Sequence, residues 1–177
     1  MLRAVNVGGR GTIKMDELRA LCESLGFAGA RTFIQSGNVI FRSEEKSLAK
    51  LGDKLEKGIE ARFGFRPDAI LRTAESMAAA IAANPFEGRG IDPAKLHIVF
   101  LKSDPGDAGR ARAGAIRTDP EELRAIGAEL YIHYPEGAGK SKLTAAAIQK
   151  ATGVPGTARN LNSAVKMLEL ARELGLK

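Results

Sequence analysis

The chain has 177 residues, is 44% hydrophobic and 27% charged, and carries a formal net charge of +6 at neutral pH. That composition belongs to a folded globular protein of one large or two small domains, and no run approaches the roughly 18 uninterrupted apolar residues of a membrane span. The opening six residues lack the pattern of a secretory leader, so a cytoplasmic location is the expectation.

A short strand is predicted over residues 2–7, ending in the glycine-rich Gly8-Gly9-Arg10-Gly11. A helix follows over 14–25, with Met15, Leu18, Leu21, Cys22 and Leu25 at helical spacing and Gly26 at its end. Stretches 31–35 and 38–42, rich in Thr, Phe, Ile and Val around Ser36-Gly37, read as a β-hairpin. Ser47 caps a helix to about residue 63, with Leu48, Leu51, Leu55 and Ile59 directed inward. Residues 68–72 supply a fourth strand. A small-residue helix over 74–83 is halted before Pro85, because the residue preceding proline is driven out of the helical region.

The second half repeats this order. Residues 96–101 form an apolar strand and 107–116 a helix rich in Ala and Arg. Segments 122–126 and 129–134 make a hairpin across Gly127-Ala128. A helix over 142–151, a short strand over 157–159 and a final helix over 162–174 complete the series. The expected fold is therefore α+β, with two ferredoxin-like βαββαβ subdomains, each followed by an extra helix. One subdomain would occupy 1–86 and the other 94–177, divided where Asn84-Pro85, Gly88, Gly90 and Pro93 cluster. A half of about 80 residues buries only a marginal core, so the two are expected to pack as one compact unit.

The single cysteine cannot form an internal disulfide, and Cys22 lies on the apolar stripe of its helix, which argues for a core thiol rather than a reactive one. One Cys and two isolated His residues offer no metal-ligand spacing. His97 and His133 lie on apolar strands; with Tyr131 they are expected to share the sheet face away from the helices, in a structural role. The positive charge is shared equally by residues 1–90 and 91–177, so there is no basic tail, but its local distribution is uneven. No acid separates Glu136 from Glu169, an interval holding Lys140, Lys142, Lys150, Arg159 and Lys166, and Arg3, Arg10 and Lys14 all precede the first acid, Asp16.

Both basic intervals contain glycine-rich turns between a strand and a helix. Gly137-Ala138-Gly139-Lys140-Ser141 ends like a phosphate loop, yet that motif requires glycine where Tyr134 stands. What remains is two glycines, a lysine and a helix start capped by Ser141, an arrangement open to an anion or to plain solvent. Gly8-Gly9-Arg10-Gly11 fails the dinucleotide fingerprint because Lys14 fills the third glycine position. It leaves a tight turn or, with Asn6 and Arg10, a second phosphate contact. Gln35, Ser36 and Asn38 form a hairpin turn with ligand-capable side chains. Arg159-Asn160-Leu161-Asn162 precedes a helix, where Asn caps and Arg can grip an anion in bidentate fashion.

The runs Leu2-Arg3-Ala4-Val5-Asn6-Val7-Gly8-Gly9, Met15-x-x-Leu18, Leu25-Gly26-Phe27 and Arg31-Thr32-Phe33-Ile34-Gln35-Ser36-Gly37-Asn38-Val39 resemble a bacterial family known as domain of unknown function 1697. The segments Tyr131-x-His133-Tyr134-Pro135-x-Gly137-x-Gly139-Lys140-Ser141-Lys142-Leu143-Thr144 and Thr157-Ala158-Arg159-Asn160-Leu161-Asn162 are similar to it as well. The resemblance implies paired ferredoxin-like subdomains and brings no established activity. The family usually has Gly where Ala4 stands and commonly an extended N-terminus, which implies a shortened first strand. It usually has Trp where Leu161 stands, which implies altered binding of any ligand stacked there.

These observations carry an expected ligand set of Asn6, Gly8, Gly9, Arg10, Gln35, Ser36, Asn38, Gly137, Gly139, Lys140, Ser141, Arg159, Asn160 and Asn162. They would form a basic cleft between the subdomains for a phosphate- or nucleotide-like anion. No catalytic residue, metal or cofactor is indicated, and nothing in the sequence bears on oligomeric state. Nucleic-acid binding is the alternative, opposed by the absence of Trp and an aromatic content of 5%. A regulatory module contacting other proteins through its basic surface is the third.

Overall fold

The computed structural model describes residues 1–7 and 11–176. Its elements are α1 (Met15–Ser24), β1 (Ala28–Phe33), β2 (Asn38–Arg42), α2 (Leu48–Phe63), α3 (Ala74–Ala82), β3 (Leu96–Leu101), α4 (Gly106–Gly114), β4 (Glu122–Ile126), β5 (Glu129–His133), α5 (Ala145–Thr152), β6 (Gly156–Asn160) and α6 (Leu161–Glu173). This is an α+β protein with two antiparallel sheets. Among the described residues no helix is long and apolar enough to cross a membrane. The chain parts into two compact units, residues 1–76 with 167–177, and residues 77–166. The 84–94 segment expected to divide the chain lies inside the second of these.

In the first unit, α1 contributes Leu18, Leu21 and Cys22 and α2 contributes Leu51, Leu55 and Ile59 to one core, joined by Leu2, Val5, Ile13 and Phe27. Full burial of such side chains stabilises by roughly 1.5–3 kcal/mol each before the chain entropy is counted. Ser47 accepts the Lys50 N–H as the N-cap of α2, and Gly64 ends that helix in the left-handed conformation that costs glycine least. Glu56, 6% exposed, accepts the Ala69 N–H at 2.9 Å and two contacts from Arg66. It thereby fixes the returning segment alongside the N-terminus, where Met1 and Ile70 exchange backbone hydrogen bonds.

In place of the strands expected over 2–7 and 68–72, the described residues show an isolated antiparallel bridge from Leu2 to Ala69. Ala4 and Asn6 have φ of 55° and 58°, and such left-handed residues end an extended strand. The hairpin is present, with β1 beginning three residues earlier than expected and a bulge between Ala28 and Arg31.

The second unit holds a four-stranded sheet in the order β4-β5-β3-β6, every neighbour antiparallel. Val99 and Leu101 of β3, Leu130 and Ile132 of β5 and Leu123 of β4 form one face, packed with Ala113 of α4 and Ile148 of α5. On the other face lies Tyr131, fully buried, whose hydroxyl donates to the Ala80 carbonyl of α3 at 2.7 Å. The helix expected from residue 142 begins at Ala145, with Thr144 as its side-chain cap. Ser141 instead accepts the Leu143 N–H at 3.0 Å, in an extended stretch ahead of the helix.

Candidate functional site

At the end of β5 the chain continues as Tyr134, whose N–H reaches the Lys95 carbonyl at 2.8 Å. Gly137 then adopts φ 88°, a conformation that makes glycine the economical residue. A 3-10 turn covers Ala138–Lys140, closed by Lys140 N–H to Gly137 O at 3.1 Å and Ser141 N–H to Ala138 O at 3.3 Å. Lys140 and Lys142 project from this turn exposed. Among the described residues neither has an ion-pair partner, whereas Lys95 donates to the Pro135 carbonyl at 2.8 Å. The neighbouring acid Glu121 is held below the usual carboxylate range, first by a hydrogen bond from the Ser141 hydroxyl.

Register places a second group of expected residues at the same end of this sheet. Asn160 pairs with His97 and Leu96 pairs with His133, so β5 and β6 both leave the sheet where β3 enters it. The two exits flank β3, about 10 Å apart at the usual strand spacing. Asn160 accepts the Ser163 N–H at 2.9 Å, the capping role its type favours ahead of α6, and Asn162 is exposed in the first turn of that helix. Arg159 does not join the turn. It lies opposite Ile98, on the Tyr131 face, 8% exposed, with Nη1 donating to Thr157 Oγ1 at 2.8 Å and Ala158 O at 2.7 Å. Burial brings its guanidinium down to about 10, still charged at neutral pH.

In the first unit Asn6, Gln35, Ser36 and Asn38 come together, bonded largely to one another and to the backbone. Asn6 Nδ2 donates to Gln35 O at 2.7 Å and Ile13 O at 3.0 Å, while its Oδ1 accepts the Ile13 N–H at 2.8 Å. Asn38, fully buried, donates to Phe33 O at 3.1 Å and Ser36 Oγ at 3.0 Å. Gly8, Gly9 and Arg10 lie outside the described residues.

The histidines do not share a face. Ile98 stands opposite Tyr131 and His97 opposite Ile132, so His97 faces α4 and α5 while Tyr131 and His133 face the other way. With Leu96 opposite His133, the register puts His97 on the face of Ile132 and Leu130 instead of that of Tyr131. His97 packs edge-on against Tyr134, centroids 5.1 Å apart, and its buried Nδ1 has no hydrogen-bond partner among the described residues. Burial lowers its pKa, opposed by a hydrogen bond with the Lys95 backbone. Burial and then the Glu121 charge push the Tyr134 phenol up to about 12. Both groups are thus held neutral.

A charged cluster on the opposite face was missed. Arg89 grips Glu122 with two bonds of 2.8 and 3.0 Å, pulling its carboxyl down to about 2. Arg89 also stacks over Phe86 at 5.3 Å, and Glu122 lies 3.5 Å from His133 Nδ1. The register of the hairpin about Gly127-Ala128 pairs Glu122 with His133 and was legible from its two-residue turn. Arg89, 33 residues away from Glu122 in a Gly- and Pro-rich stretch, gave no signal.

Fold and candidate residues together define an α+β protein of two antiparallel sheets carrying an exposed basic turn. The sequence pattern of the family described as protein of unknown function DUF1697 matches residues 1–131, and the chain belongs to that family. The similar segments around 131–144 and 157–162 lie beyond the matched stretch. No curated protein matches the chain. Among solved structures, the conserved bacterial protein SP0830 from Streptococcus pneumoniae is similar at 24% identity and a TM-score of 0.72, over 97% of this chain and 96% of that one. That likeness is one of fold.

Proposed function

We propose that this protein binds a small phosphate- or nucleotide-like anion at the turn from Gly137 to Lys142. The observation that carries the reading is that Lys140 and Lys142 stand exposed on the turn with no carboxylate partner among the described residues. Two ammonium groups on one glycine-containing turn form a site whose electrostatics favour an anion and whose backbone admits close approach. Gly139 and Asn160 frame it from the turn and from the end of β6. Arg159 contributes its charge from within the sheet rather than a direct contact. The reading extends to a cytoplasmic bacterial protein without a resident cofactor.

The order β4-β5-β3-β6 also supports reading the second unit as a ferredoxin-like sheet. On the same reading, residues 1–76 are a reduced copy whose first and fourth strands meet at the Leu2 to Ala69 bridge.

The test is thermal unfolding of the full chain with inorganic phosphate, a panel of nucleotides and short oligonucleotides, beside Lys140→Ala. A ligand at 100 times its dissociation constant stabilises by about 2.7 kcal/mol. A shift with one small anion that is lost in the variant supports the site. A shift that grows with oligonucleotide length and collapses with salt would replace it with nucleic-acid binding. The absence of any shift would leave the turn a structural connection.

A further inference from the structure

Residues 84–92 join the end of α3 to the 3-10 turn Pro93–Lys95 that leads into β3, and they meet the sheet on the face of Glu122 and His133. The backbone of this segment is self-contained. Asn84 N–H bonds to Ile81 O, Glu87 N–H to Asn84 O and Arg89 N–H to Phe86 O, each at 3.3 Å. Phe86 N–H reaches Asn84 Oδ1 at 3.1 Å, and Asp92 accepts from Ala94 and Lys95. Among the described residues no backbone bond of the segment reaches a strand. Of its side chains only Phe86 is buried, at 3% exposure, and Arg89 is the one that bonds to the sheet, through Glu122. Gly88 and Gly90, with φ of 76° and 67°, flank that arginine in open space.

The closed segment leaves a polar group beneath it unsatisfied. The His133 ring lies 6.3 Å from that of Phe86, and its Nδ1 is buried without a hydrogen-bond partner among the described residues. Glu122 Oε1 is 3.5 Å from that nitrogen, but the carboxylate is turned to Arg89. A buried polar atom without a partner raises the free energy of the state that buries it. We propose that residues 84–92 are a strap that opens as a unit from this end of the sheet, latched by Arg89 on Glu122, and that its opening uncovers His133. The local bonds travel with the strap, so opening breaks none of the sheet's ladder. The two glycines admit the change of backbone direction. One ring and one ion pair hold the strap shut against a nitrogen that gains a partner when water enters, which places its opening well below global unfolding in cost.

Either half of the latch can be removed while the other reports. Glu122→Gln keeps Arg89 as a trypsin site, and cleavage there requires the flanking backbone to be drawn into the protease. In brief digestion of the folded full chain, cleavage after Arg89 should be about fivefold faster in this variant. Cleavage follows the open population, and a bidentate surface ion pair contributes about that factor. The other lysine and arginine sites should keep their rates. Arg89→Gln keeps Glu122 beside His133. Carbethoxylation with diethyl pyrocarbonate at about pH 8, read by peptide mass, should then modify His133 about fivefold faster. His97, the chain's other histidine, faces α4 and α5 and should keep its rate. Unchanged cleavage after Arg89, or acceleration at every site alike, would overturn the proposal. Faster cleavage with His133 modification unchanged would overturn it as well, since only the Arg89 side chain would then have been freed. So would a His133 that reacts in the unaltered folded chain as fast as in the unfolded one.

Discussion

Two polar, glycine-bearing turns of this molecule look alike as sequence and differ as structure. The turn at 34–37 is closed from within: Asn6 bonds it through Gln35 O, Asn38 lies fully buried beneath it, and the Leu2 N–H reaches the Gly37 carbonyl at 2.9 Å. The turn at 137–142 is open, with its lysines exposed; among the described residues its hydrogen bonds tie the Gly137 N–H to the Tyr134 carbonyl, close the 3-10 turn and place Ser141. Small polar residues and glycine make either kind of turn. What separates them is whether the polar groups are satisfied inside the fold or left facing water, where a ligand can compete for them. The first turn holds its unit together, and the second leaves functional groups available.

The sharpest way to test the closed side is Gly37→Ala. Gly37 has φ 73°, and a Cβ there would lie 3.0 Å from the Leu2 Cβ and 3.3 Å from the Val5 Cβ. Left-handed backbone costs a non-glycine residue about 1–2 kcal/mol and overpacking about 1–3 more. We expect a loss of about 3 kcal/mol in denaturant unfolding; a loss under about 1 kcal/mol would mean the turn is held less tightly than its contacts indicate. Asn6→Ala follows, removing two donated bonds and one accepted bond. Leaving the Ile13 N–H and two carbonyls without that partner should cost about 2 kcal/mol. Asn6→Gly separates the causes, since it keeps φ 58° accessible while losing the same bonds. If Asn6→Gly restores wild-type stability, the backbone conformation and not the hydrogen bonds explains the residue.

The same contrast sets how much could be read in advance. Strands β3, β4 and β2 and the helices α1, α2, α3 and α6 lay within a residue or two of their expected positions, because each has its period and its stop signal in its own sequence. The failures came where side-chain hydrogen bonds override the apolar pattern. Residues 2–7 have strand-like alternation, but the bonds of Asn6 to Ile13 and Gln35 pull the chain into left-handed conformations. Lys142 and Leu143 look like the start of a helix, yet Thr144 supplies the cap. For the candidate residues, type was legible and availability was not. Arg159 reads as an anion ligand until β6 is seen to place it in the buried face opposite Ile98.

A smaller effect comes from the ground beneath the open turn. His97 is half-buried against Tyr134 with its pKa depressed by burial. The unfolded chain therefore takes up this proton first as pH falls. The stability is fully present above the unfolded value near 6.5 and declines as pH drops below it toward the depressed folded value. Denaturant midpoints from about pH 8 to about pH 5 should fall in the native chain and fall less in His97→Gln. Equal slopes in the two proteins would show that His97 is solvated and that the sheet end under the turn is looser than its packing indicates.

The smallest expected change in stability belongs to the residue on which the functional reading depends most. Lys140 is exposed and has no ion-pair partner among the described residues, so Lys140→Ala should alter stability without ligand by no more than about 0.5 kcal/mol. Relief of repulsion from Lys142 would make the change, if anything, favourable, and more so at low salt. An open turn that exists to hold an anion should be slightly better off without its charge until the anion arrives. A closed turn should be worse off at once. Measured stability without ligand therefore sorts the two kinds of turn before any ligand is known. A loss above about 1 kcal/mol in Lys140→Ala would move the 137–142 turn into the same class as 34–37.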